Sequence, residues 1–89
     1  MNGNEAYSNE RTDLALGEVL IEGNRARRKH GDAPLATDAE LITVLVEEVG
    51  EVAKAYNQLK PDEFRKELVQ VASVAIRHLA GDLTFSSKP

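Results

Sequence analysis

The sequence predicts an all-α fold, a small bundle made of a helical hairpin and one N-terminal helix. Three observations predict it. Apolar residues recur at helical spacing through three long segments. Two of these segments open on helix-start signals, Thr37-Asp38-Ala39-Glu40 and Pro61-Asp62-Glu63. No segment reads as a strand, and neither a repeat nor a low-complexity stretch is present.

The first helix is expected from about Asn9 to Lys29, carrying Leu14, Leu16, Val19, Leu20 and Ile21. Gly17 and Gly23 weaken it. The stretch "HGDAPLAT" follows as a loop, punctuated by Gly31 and Pro34. Thr37 then caps the second helix, with Glu40 three residues on in a capping box. That helix is expected to reach about Gln58. Pro61 suits the first position of a third helix, the acids Asp62 and Glu63 suit its first turn, and Gly81 ends it after Ala80. Only a few residues separate the second and third helices, so they should lie antiparallel. Residues 1–8 and 83–89 read as loosely held tails around a domain spanning 9–82.

With 89 residues the chain makes one domain, and 42% apolar residues can supply a modest core. The absence of cysteine excludes disulfides, thiolate metal sites and a cysteine nucleophile, and fits a reducing compartment. No apolar run nears the roughly 18 residues of a membrane span, and no signal-peptide pattern opens the chain, so a cytoplasmic location is expected. A net charge of −4 argues against a general nucleic-acid binder. One basic cluster, Arg25 to His30, has two readings: a solvated helix end that complements the dipole, or a site for an anion.

The chemistry lies in "TVLVEEVGEVAKA", residues 43–55. With steps of about 100° per residue, Leu41, Val44, Val52 and Ala55 cluster within about 40° of Glu48. Glu48 therefore stands in the middle of an apolar stripe. Glu51 falls on the edge of the stripe and Glu47 further toward solvent. On the third helix the expected apolar stripe is Phe64, Leu68, Val71, Ala75 and Leu79, with Glu67 between Val71 and Val74 and Gln70 one turn on. The hairpin should bring Glu48 and Glu51 against Glu67 and Gln70.

Buried ionised carboxylates are costly unless compensated. Three remedies are open. The acids can be protonated. They can pair with cations, for which Lys54 and Arg77 are candidates on outer faces. Or they can bind a hard divalent ion such as Mg²⁺ or Mn²⁺ through oxygen ligands at i, i+3 spacing. Tyr56 has two readings, packing in the core or stacking on a base. His78 lies near Glu67 on the wheel and reads as a partly buried structural residue.

The pattern Glu47-Glu48-Val49-Gly50-Glu51, fifteen intervening residues, then Glu67-Leu68-Val69-Gln70 resembles the MazG-like all-α nucleoside triphosphate pyrophosphohydrolases. Their pattern is Glu-Glu-x-x-Glu, a spacer, then Glu-x-x-Asp. The "RRKHGD" stretch is similar to the end of the first helix in short members, and the resemblance covers residues 20–82. It implies hydrolysis of a nucleoside triphosphate to the monophosphate and pyrophosphate, with Mg²⁺ (or Mn²⁺) as cofactor. It implies Glu48, Glu51, Glu67 and Gln70 as metal ligands, and Glu47 or Glu51 as the acceptor of the attacking water's proton. Lys29, Arg28, Lys54 and Arg77 are the candidates for holding phosphates. The family completes its thin bundle by dimerising, so a homodimer or a dimer of dimers is expected. Gln70 departs from the family's Asp, replacing a charged ligand by a neutral, weaker one. Two other readings follow from the same residues: a non-catalytic helical module binding a nucleotide or a protein, and the related phosphoribosyl-ATP pyrophosphohydrolase.

Overall fold

A computed structural model describes residues 7–31 and 37–81. Residues 1–6 of the expected tail at 1–8, residues 32–36 of the expected loop, residue 82 and the expected tail at 83–89 lie outside the described residues, while Tyr7 and Ser8 are helical. Every described element is helical: a π-helical turn at Tyr7–Arg11, α1 (Thr12–His30), α2 (Asp38–Asn57) and α3 (Pro61–Ala80).

Local chemistry explains the boundaries. The π-helical turn runs straight into α1, so helical structure begins two residues before the expected Asn9. At the other end Gly31 takes φ 85°, and its N–H donates to the Arg27 carbonyl at 2.8 Å. A residue without Cβ enters that conformation at little cost. Thr37 is extended and its Oγ1 accepts from the Glu40 N–H at 3.1 Å, which satisfies one of the open donors at the start of α2.

The hairpin turn closes in an unusual way. Lys60 N–H donates to the Ala55 carbonyl at 3.0 Å, and Leu59 N–H donates to the Tyr56 carbonyl at 3.1 Å. This is the Schellman pattern, which places one residue in the left-handed region, usually glycine. Here that residue is Leu59, at φ 57°. Pro61 then starts α3, which ends at Ala80 with Gly81 in an extended conformation.

α3 is the central helix. α1 and α2 each pack on α3 and do not touch one another. Glu18 of α1 pairs with Arg65 of α3, and Gly23 lies against Ser73, so α1 runs in the same sense as α3. Gly23 lies at this contact: a Cβ built there would meet Ser73 Oγ at 3.5 Å, an ordinary van der Waals distance.

Burial is sparse. Among the described residues Val19 and Ala55 are the buried apolar side chains, joined by Ser73 and His78. The expected stripe on α3 is corrected in part: Phe64, Val71 and Ala75 are half-buried, but Leu68 and Leu79 are exposed. On the wheel the stripe runs from about 40° to 120° forward of Glu67, so it is set off-centre from the contact line with α2, and its far edge, Leu68 and Leu79, is left open. Tyr56 is not a core residue either. It is 69% exposed and rests on Phe64 across the turn, with ring centroids 6.1 Å apart.

Candidate functional site

The hairpin sets Glu48 of α2 opposite Glu67 of α3, and both are half-buried. The Gln70 amide lies between them. With the amide turned so that its nitrogen faces the acids, Nε2 donates to Glu67 Oε2 at 2.9 Å and to Glu48 Oε2 at 3.0 Å. The opposite amide orientation sets its oxygen against the carboxylate oxygens of Glu48 and Glu67, so the amide is assigned here from its hydrogen-bond partners.

The local field is visible in Glu48, whose pKa is raised above the ordinary value. Loss of solvent is the largest cause. The charge of Glu67 and a direct hydrogen bond with it come next, then the charges of Glu51 and Glu47. The physical reason is plain: like charges brought together in a partly desolvated notch favour the neutral form.

Glu47 and Glu51 are exposed and add their field rather than their oxygens. Among the described residues no three acid or imidazole side chains gather closely enough to hold a metal ion. The expected convergence is thus met by Glu48, Glu67 and Gln70, while Glu51 stays outside. What converges is a two-carboxylate site closed by an amide.

The placement of the cations follows from the helix geometry. α2 and α3 are antiparallel, so stepping backward around each from the contact line turns to the same side of the hairpin. Glu47, Glu51 and Lys54 on α2, and Lys66, Gln70 and Arg77 on α3, all fall on that side, within about 120° of the contact line. Lys29 of α1 lies roughly 9–14 Å further along the axis than the level of Gln70, counted at 1.5 Å per residue from the Glu18–Arg65 and Gly23–Ser73 contacts. Arg28 points away from α3, about 180° from Val19 on the wheel. Counted along each helix at 1.5 Å per residue, Lys54 lies about 9 Å beyond Glu48 and Arg77 about 15 Å beyond Glu67, toward opposite ends of the hairpin. Lys66, adjacent to Glu67 in sequence, was not singled out by the sequence reading. Its charge reaches Glu22 of α1, whose carboxyl is held below its ordinary range chiefly by a hydrogen bond to Arg25 and secondarily by the charges of Arg25 and Lys66. The position of α1 was needed to see it.

The donor set suits a hard divalent cation in kind: two carboxylates, the amide oxygen that Gln70 would present on turning over, and Glu51 one turn along. The observed spacing is set by the amide. Because one nitrogen lies about 3 Å from both carboxylates, a cation at that point would need each oxygen to close in by roughly 1 Å to reach Mg²⁺ distances.

No family model, no curated protein and no solved structure matches this chain. No helix among the described residues is long and apolar enough to cross a membrane.

Proposed function

We propose that the protein is a Mg²⁺-dependent nucleoside triphosphate pyrophosphohydrolase of the MazG-like kind, acting in the cytoplasm on a nucleotide pool. The observation that carries this reading is the meeting of Glu48 and Glu67 from two helices, with Gln70 between them and both further acids on the same side.

The residues divide the work as follows. Glu48 and Glu67, with the Gln70 oxygen and Glu51, would hold the ion. Bound Mg²⁺, or Mn²⁺ in its place, supplies neutralisation of phosphate charge and a water of lowered pKa. Glu47 or Glu51 accepts the proton as the water's oxygen bonds to the α-phosphorus. The α–β bridging oxygen then leaves with pyrophosphate. Arg77 and Lys54, at the two ends of the site, suit the phosphates best, with Lys29 and Arg28 more remote. No side-chain nucleophile is required.

A screen for pyrophosphate release from nucleoside triphosphates and phosphoribosyl-ATP, with Mg²⁺ or Mn²⁺, tests the reading. Release with either ion, abolished in Glu48→Gln and Glu67→Gln, is the expected result; preference for phosphoribosyl-ATP would identify the narrower relative. Silence on every substrate would overturn the reading.

A second reading is favoured by the Gln70 amide itself. As a double donor it satisfies both carboxylates without any ion, as a binding module that has lost turnover would require. Thermal stabilisation by a nucleotide without pyrophosphate release would select it.

A further inference from the structure

Three cations stand along the seam where α1 packs on α3: Arg25 of α1, and Arg65 and Lys66 of α3. Two are already engaged. Arg25 donates to both carboxylate oxygens of Glu22, at 2.9 and 2.6 Å, and Arg65 pairs with Glu18. Lys66 acts on Glu22 by charge alone, a smaller cause of that acid's lowered pKa than its hydrogen bond to Arg25. Lys66 is also level with the carboxylate pair. It directly precedes Glu67, and it lies one turn before Gln70, which sets the two side chains roughly 5–6 Å apart at Cβ. The cations weighed from the sequence stand further off, the nearest of them, Lys54, about 9 Å along its helix. On the wheel Lys66 falls within about 20° of Ser73, the residue that meets Gly23, so it lies on the side of α3 turned to α1. Glu47 and Glu51 border the same site from α2. The site therefore has acids on its α2 flank and an ammonium group on its α1 flank.

We propose that Lys66 receives the β- and γ-phosphates of the substrate, so that the leaving pyrophosphate lies over the α1–α3 seam; this rests on the hydrolase reading. The direction follows from the charges. A triphosphate is a chain of anionic groups, and the Glu47 and Glu51 carboxylates repel whatever part of it lies toward α2. Lys66 attracts it toward α1. Negative charge grows on the β-phosphate as the α–β bridging oxygen departs, and an ammonium group placed there stabilises it more in the transition state than before. Lys66 suits the task in kind: it offers three donors on a flexible stem, and it gives up no hydrogen-bonded partner when it turns to a phosphate. Arg25 and Arg65 would each have to release a carboxylate of α1 first.

Inorganic pyrophosphate is the probe, titrated into the full chain by calorimetry with Mg²⁺ in excess. Lys66→Met should bind it roughly 10- to 100-fold more weakly than the parent, the loss expected for one hydrogen bond to a charged group. Lys66→Arg should keep most of the affinity, since the charge is retained. Lys54→Met and Arg77→Met should lose less than Lys66→Met. Lys66 is exposed, so Lys66→Met should melt with the parent, which separates a lost contact from a lost fold. In turnover, Lys66→Met should lower both kcat and kcat/KM for a triphosphate. Two results overturn the inference while leaving the hydrolase reading in place: an active parent that binds no pyrophosphate, or a Lys66→Met variant that binds it as tightly as the parent. A parent that binds pyrophosphate through Lys66 but releases none from any triphosphate does the reverse: the anion site at Lys66 stands and the hydrolase reading falls.

Discussion

Glu48 on α2 and Glu67 on α3 share one amide: the Gln70 side chain donates to a carboxylate oxygen of each, at 3.0 and 2.9 Å. Two acids of like charge are therefore held together by a neutral double donor, and the consequences of removing it differ from those of removing a charge.

Gln70→Leu leaves both carboxylates without their donor while keeping the volume similar. A loss of about 1–3 kcal/mol in unfolding free energy is expected, read by urea denaturation in chelator. Gln70→Asp adds a third acid instead. It should also destabilise the chain in chelator, but Mg²⁺ should restore its melting temperature, and pyrophosphate release should rise if the site is catalytic. A Gln70→Leu variant as stable as the parent would show that the bridge contributes nothing.

The raised pKa of Glu48 fixes a pH dependence. A carboxyl whose folded pKa lies above its ordinary 4.5 favours folding while it is protonated. That contribution is complete below 4.5 and is lost as pH rises through the higher folded value. The melting temperature measured in chelator should therefore fall over this window as pH rises. Glu48→Gln, which cannot ionise, should flatten the fall and melt above the parent at neutral pH. An identical pH profile in the two proteins would show that Glu48 is not under this strain.

Two backbone positions offer gains in stability. Leu59 holds φ 57° with its side chain 87% exposed, so Leu59→Gly relieves a left-handed conformation that costs roughly 1–2 kcal/mol and gives up little buried surface. A net stabilisation of about 1 kcal/mol is expected after the entropy cost of glycine in the unfolded chain. Gly17 lies in mid-helix with nothing within 4 Å of a built Cβ, so Gly17→Ala should add about 0.5–1 kcal/mol. Thermal melts of both variants check these values.

Much of the fold was legible because its signals are local. Thr37, Pro61 and the periodicity of α2 and α3 act within a turn or two of chain, so the sequence alone determined the helices, the hairpin and the place of Glu48 in the packed stripe. The expected pairing of Glu48 with Glu67 and Gln70 also follows from a tight turn and two helical wheels.

Only the tertiary structure decided the rest. That α1 packs on α3 alone, that Gly23 marks its contact with Ser73, and that Lys66 reaches toward Glu22 depend on contacts across some fifty residues, where no periodicity reports. The same holds for the exposure of Leu68, Leu79 and Tyr56, since a wheel shows which residues share a side and not which side a neighbour covers. And Gln70, weighed in the sequence as a weak ligand, became a donor only once two carboxylates stood within reach of one nitrogen.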